Sequence, residues 1–280
     1  MLKKSILIIF VSFLLISCTN NTSNRNIQSD SELDYEILGL EDTFYVNEEY
    51  ELNFNVFNSY YFPNVDQINA KMIFRGFDEN ILNLDREKIF EISAPQDESD
   101  YTENYFDIGF STSLIEGVDE SKQILRTDLL ADMYTEFSVP LCLVGIDMRR
   151  DEAECSFSLP ELNHDFPIEL IDVKYSFSPS TQTIILYFIS DNNYDYFDIS
   201  LFDDFSSSDR SSHPRIKYSV ENTYSGDLED SFRIDDNNIG RLVFSIDRSE
   251  ISGSFDSNFN IGLNYGLINS KTFELNIKEN

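Results

Sequence analysis

Chemistry in this chain must come mostly from oxygen and sulfur, because it holds 51 acidic residues and three cysteines but only two histidines and no tryptophan. The oxygen ligands are most ordered in Asp191-Asn192-Asn193-Tyr194-Asp195, where Asp191, Asn193 and Asp195 alternate and Asp198 follows. Hard oxygen ligands in a loop suit calcium. An EF-hand is excluded, since Tyr196 stands where that loop needs Gly and Phe202 where it needs the bidentate Glu. Asp235-Asp236-Asn237-Asn238-Ile239-Gly240 supplies the Gly but places Ile246 at the Glu position. Two readings remain: a calcium site at the end of a sandwich, built from Asp191, Asn193, Asp195 and Asp198, or turns rich in Asp and Asn, which tolerate the left-handed region.

Other catalytic constellations are weaker. His164 and His213 stand beside proline-containing loops, and neither has a Gly-x-Ser-x-Gly or a cysteine at a usable spacing. A glycosidase pair could be drawn from any two of the 51 carboxylates, so the pattern singles out none. Tyr60, Tyr61, Tyr194 and Tyr196 are candidate stacking rings for a sugar, in a chain without tryptophan. The expectation is a protein that is not an enzyme and has no cofactor, apart from the calcium reading.

Cys18 gains meaning from what precedes it. Met1-Leu2-Lys3-Lys4 is a basic start, and Ile6 to Ile16 is apolar apart from Ser12. Leu15-Ile16-Ser17-Cys18 sets a small residue directly before the cysteine. Such a segment reads as a secretory signal, too short to span a membrane. Leu-Ile-Ser-Cys also resembles the lipobox of prokaryotic lipoproteins. That resemblance implies a signal peptide over residues 1–17, cleavage before Cys18, acylation of Cys18, and anchoring on the outer, extracytoplasmic face of the cell membrane. Residues 18–33 follow as a polar stretch without periodicity, read as a flexible tether. Asn20 and Asn21 open overlapping N-x-Ser/Thr sequons there and are candidate glycan acceptors.

Removal of Lys3 and Lys4 with the signal leaves 18 basic against 51 acidic residues, a net charge of −33. Such a surface repels phosphate backbones, so no nucleic-acid partner is expected. Cations, a basic surface protein or water are the favourable partners. With Cys18 assigned to lipid, Cys142 and Cys155 are an even remainder in an exported chain. The charged run Asp147 to Glu154 between them reads as an exposed loop. A disulfide closing it would stabilise by about 3 kcal/mol in the chain-entropy model. Two buried thiols, or half of a metal site, are the alternatives.

The elements that position these residues are strands. Leu52, Phe54 and Val56 alternate with polar neighbours, as do Ala70, Met72 and Phe74, and Leu125 to Met133. Period-2 alternation of this kind marks half-buried antiparallel strands. After a proline-flanked break at Leu159 to Pro167, alternation resumes over Ile168–Phe177, Thr183–Ile189, Phe197–Phe202, Arg215–Val220 and Arg241–Ile246. Asn258–Tyr265 and Lys271–Ile277 read as a final pair joined by a turn over Gly266 to Ser270. The expected class is all-β: two tandem antiparallel, Ig-like β-sandwiches over residues 34–162 and 167–280.

Tyr50-Glu-Leu-Asn-Phe-Asn-Val-Phe-Asn58, the segment Met133-Tyr134-Thr135 to Pro140-Leu-Cys142 with Glu154-Cys155, Pro167-Ile-Glu-Leu-Ile-Asp-Val173, and Leu263-Asn-Tyr265-Gly266-Leu carry a further resemblance. Over roughly Glu32 to Asn280 the chain resembles two-domain surface proteins of small-genome (DPANN-type) archaea. It departs from them in having fewer cysteines and no aromatic after Gly266. The resemblance implies a first, CARDB-like Ig module ending in a cysteine-bearing hairpin, then a second sandwich, and no active site. The leading expectation is a lipid-anchored surface protein for adhesion, attachment or envelope architecture. A solute- or glycan-binding lipoprotein is the alternative, and an exported hydrolase stands third.

Overall fold

The computed structural model describes residues 33–61, 65–97, 100–159, 166–205 and 214–279. Cys18, Asn20, Asn21, His164 and His213 lie outside the described residues. The described residues are all-β, as the alternation requires, and fall in one compact unit.

Three sheets make up that unit. The largest has eight strands, in the order β13 (Gly226–Arg233), β12 (Arg215–Asn222), β15 (Ser254–Lys278), β8 (Glu120–Val144), β4 (Gln67–Arg75) and β6 (Glu87–Ser93). Two short strands, β2 (Thr43–Tyr45) and β11 (Asp195–Phe197), add to β15. A four-stranded sheet runs β1 (Leu33–Leu38), β3 (Glu49–Asn58), β7 (Thr102–Thr112), β5 (Leu82–Leu84). A three-stranded sheet runs β14 (Ile239–Asp247), β10 (Thr181–Ser190), β9 (Ile168–Phe177). The ladders are antiparallel except β2 on β15, which is parallel.

Strands β8 and β15 are each 25 residues long and pair from Glu120↔Lys278 to Val144↔Ser254 without a register shift. Side chains of a strand alternate between faces, and every odd-numbered residue of β8 from Gln123 to Leu143 is buried. One face of the ribbon is therefore core along nearly its whole length. The four-stranded sheet stacks on one half of it, with Phe54 and Phe74 ring centroids 5.7 Å apart. The three-stranded sheet stacks on the other half of the same face, with Phe188 at 6.0 Å from Phe137 and Phe244 at 5.5 Å from Phe259. A single cluster of buried apolar residues runs through both sandwiches. Polar groups on this face are bonded, as burial demands. Tyr35 Oη donates to Thr127 O at 2.8 Å, and Thr135 pairs with Tyr265 Oη at 2.9 Å.

Several strands differ from the sequence expectation. The final pair is one strand: the ladder to β8 continues through Gly266↔Asp132 and Ser270↔Asp128 with no turn. Gly266 owes its identity to a ring. The Phe197 side chain fills the space a Cβ would take, and the backbone there does not need a left-handed conformation. Met133 to Cys142 likewise forms part of one strand, and the expected cysteine-bearing hairpin is a strand followed by a loop with a 3-10 turn at Arg150–Glu152. The strand expected over Phe197–Phe202 stops at Phe197, where Asp198 caps a 3-10 turn at Ile199–Leu201. β13 escapes the alternation because Leu228 and Phe232 are its only large apolar side chains.

Arg248, directly after β14, is buried without a carboxylate partner among the described residues. Its guanidinium instead donates to four carbonyls: Val144 at 3.0 Å, Gly145 at 2.7 Å, Met148 at 2.8 Å and Ser178 at 2.8 Å. Gln182 works beside it, donating from Nε2 to Cys142 O at 2.6 Å and accepting from Val144 N at 2.9 Å. Together they fasten the three-stranded sheet to the end of β8.

Removing one partner of buried hydrogen bonds to a charged group costs about 1.5–3 kcal/mol or more, because the acceptors are left unsatisfied. Arg248→Ala is expected to lower stability by about 3 kcal/mol on that scale. In calorimetry the loss should move one transition to lower temperature, since both sandwiches share a sheet. A variant that splits into two separate transitions would contradict that coupling.

Candidate functional site

Cys142 and Cys155 are bonded, with their Cα atoms 5.4 Å apart, inside the range such bonds require. This decides between the three fates open to the pair. The loop they close is exposed apart from its ends, as its charge implies. Around it, Arg150 lies over the rings of Phe157 and Phe177 at 5.0 and 5.8 Å. Tyr175 Oη accepts from Cys142 N at 3.3 Å, and burial pushes its hydroxyl up to about 12. Replacing both cysteines by serine is expected to cost roughly 3 kcal/mol for a loop of this size, read as a lower Tm. Adding reductant to the unsubstituted chain should reproduce the shift. An unchanged Tm in both cases would contradict a stabilising bond.

Two of the acidic residues singled out for calcium, Asp191 and Asp198, are engaged by their own neighbours. Asp191 Oδ1 accepts from Asn193 N at 2.9 Å, and Oδ2 from Asn193 Nδ2 at 3.4 Å. Asp195 is an exposed residue of β11, opposite Ile268. Asp198 Oδ1 accepts from Ser200 N at 3.0 Å and Ser200 Oγ at 2.7 Å. Partial burial pushes the Asp198 carboxyl up, but the Ser200 hydroxyl and amide, with Lys217 and Arg215, outweigh it and hold the group below its ordinary value. The second acidic run behaves alike: Asp235 Oδ1 accepts from Asn237 N and Ile239 N at 2.9 and 3.0 Å, and Asn238 takes the left-handed region at φ 60°. Asx turns and caps account for Asp191, Asp198 and Asp235. Among the described residues no three His, Cys, Asp or Glu side chains gather as a metal-holding group. With a net charge of −31, calcium is expected to raise Tm no more than magnesium at equal ionic strength, through screening alone. A calcium-specific rise that Asp191→Asn with Asp195→Asn removes would establish the site.

Three of the four tyrosines expected to meet a sugar are packed inside. Tyr60, Tyr194 and Tyr196 are all buried. Tyr196 Oη donates to Pro167 O at 2.7 Å, and Leu33 N donates to Tyr194 Oη at 2.8 Å. In sequence they sit among Asn and Asp, which disguised them as loop residues; in the fold they plug the sandwich core.

Two open grooves lie on outward sheet faces. One, of about 800 Å³, lies on the four-stranded sheet, floored at Gly109 and rimmed by Glu49, Glu51 and Asp85. The other, of about 590 Å³, crosses β13, β12 and the β8–β15 ribbon on the face away from the core. Its position follows from register. Lys217 pairs with Asn264 and Asn264 with Tyr134; Ser219 pairs with Gly262. Even-numbered residues of the ribbon point outward here, opposite the buried odd-numbered set. Tyr134, 43% exposed, lies across Gly262: a Cβ there would meet Tyr134 Oη and Ser219 Oγ at 2.7 Å each. Asn264 lines the groove with Oδ1 buried and unpartnered among the described residues. Asp198 forms part of the rim, carried by a segment whose Phe197 and Phe205 cover Ile73, Leu130 and Ile268 on the same outer face. Sequence reasoning passed over Tyr134, Gly262 and Asn264. The only signal was their outward parity, which means little until the pairing of strands distant in sequence is known.

No protein-family model and no curated protein matches the chain. Among solved structures, it is similar over 82% of its length to the C-terminal globular domain of an oligosaccharyltransferase from Pyrococcus abyssi, at 9% identity and a TM-score of 0.16. The chain spans 44% of the length of that protein, and a score this low carries no argument about fold or activity.

Proposed function

We propose that this chain is a lipid-anchored, non-enzymatic protein of the outer cell surface, serving adhesion, attachment or envelope architecture. The observation that carries this reading is the Cys142–Cys155 disulfide. Bonds of this kind persist in oxidising, extracytoplasmic compartments, where the signal-like segment before Cys18 would deliver the protein. Acylation of Cys18 then ties the chain to the membrane, residues 18–33 act as the tether, and Asn20 and Asn21 are open to glycosylation. Two stacked sandwiches, Ig-like and CARDB-like in the first half, present broad outward sheet faces suited to contact with a surface partner. The negative charge keeps such a surface solvated and discourages nucleic acid. A solute- or glycan-binding lipoprotein is the second reading, favoured by the groove around Tyr134.

Cys18→Ser removes the acylated nucleophile. A single acyl chain gives marginal membrane binding and two give stable anchoring, so the unsubstituted chain is expected in the detergent phase and the variant in the aqueous phase. Equal partitioning would overturn the anchor. Protease added to intact cells should remove the protein, and protection from it would overturn the surface location.

A further inference from the structure

We propose that the groove spanning β13, β12 and the β8–β15 ribbon binds a neutral pyranose of a glycan chain, stacked on Tyr134. This names a ligand class for the surface role above and rests on that reading only for its biological setting.

The geometry supplies what a sugar ring needs. Because Gly262 has no side chain, the Tyr134 ring reaches over the sheet and lies against it. Tyr134 Oη and Cε2 come closest to the glycine, and with 43% of the residue exposed the ring offers an apolar platform on an otherwise polar surface. Sugar rings offer C–H groups to such a platform and hydroxyls around its margin. Ser219 and Asn264 stand at that margin, with Lys217 in the next strand. A groove of about 590 Å³ falls within the range of small-ligand sites, ~300–1,000 Å³.

Chemistry selects a neutral ligand over an anionic one. The two cations of the groove, Arg215 and Lys217, are outnumbered by Asp198, Glu229 and Asp230 along its lining. Both cations already act on Asp198. With a chain charge of −31 around it, the groove has no surplus positive potential for a polyanion. Burial, with Glu136 and Glu221, pushes the Tyr134 hydroxyl upward, so it remains a protonated donor.

The test is isothermal titration calorimetry on the purified full chain, held in a detergent without sugar headgroups. The probes are neutral oligosaccharides of glucose, mannose and galactose, with an oligogalacturonate as the acidic comparison. At least one neutral series is expected to bind. Tyr134→Ala should weaken it by about tenfold or more, as loss of an aromatic anchor does, while Tyr134→Phe keeps the platform and most of the affinity. Gly262→Ala is a second route: it keeps the tyrosine but displaces its ring from the sheet, and should also weaken binding. Tyr105→Ala, at an exposed tyrosine on the four-stranded sheet, should leave affinity unchanged. Failure of every neutral oligosaccharide to bind, unchanged affinity in Tyr134→Ala, or tighter binding of the oligogalacturonate would each overturn the proposal. None of these results would alter the partitioning of the Cys18 pair, so the two readings fail separately.

Discussion

Everything in this fold depends on one ladder. The pairing of β8 with β15 holds 25 residues of each strand in unbroken register, and a slip of one residue would turn every side chain to the wrong face. That constraint explains why the odd-numbered positions are apolar, or polar with a bonded partner, over such a distance. It also explains why two small sheets can stack on the same face: each covers a portion of a surface that neither made alone. A two-stranded ribbon alone is marginally stable at best in water. β4 and β12 on its flanks, with the covering sheets, turn it into the backbone of the unit.

The outer face of the ribbon is not uniformly wet, and the exceptions are informative. Toward the middle, Leu130 and Ile268 are buried under Phe197 and Phe205. Lys71, also buried, donates from Nζ to Asp203 O at 2.6 Å and lies 5.8 Å from the Phe202 ring. At the far end, Cys142 and Val144 are buried where the loop to Cys155 and the Arg248 guanidinium close over them. Between these two covered regions lies the stretch that carries Tyr134, Gly262 and Asn264. Its openness is thus a local choice on a face that the chain covers elsewhere.

Much of this was legible in the residues. Leu125 to Met133 does lie in a strand, though Asp128 and Leu130 on its other face are buried as well, and Ile168–Phe177 is observed with the expected bounds. The disulfide followed from an even remainder of cysteines around a charged loop. What misled was local punctuation. Gly266 to Ser270 looks like a turn because glycine, asparagine and serine favour turns, yet here the glycine admits a ring and Asn269 donates to Leu33 O at 2.9 Å. Tyr194 and Tyr196 looked exposed because Asp and Asn surround them. Both errors have one cause: a residue chosen for a partner more than sixty positions away carries no mark of that partner in its own neighbourhood. The groove was hidden for the same reason, since β8, β12 and β15 meet only in the folded chain.

β1 shows what such a partner can mean mechanically. It is the first described strand, so under the proposed anchoring any tension from the membrane would enter the body at Leu33. There the chain is gripped by more than its ladder to β3. Asn269 of β15 donates to Leu33 O and to Asp34 Oδ1 at 2.9 and 3.1 Å, and Lys271 sits 2.7 Å from the Asp34 carboxylate while also donating to Tyr35 O. Tyr194 holds Leu33 N from the other side of the sequence. A pull at this point would be shared at once with the longest strand in the molecule, bypassing the covering sheet. Force would travel along the ribbon as along a beam, and the edge strand through which it arrives would be spared from peeling.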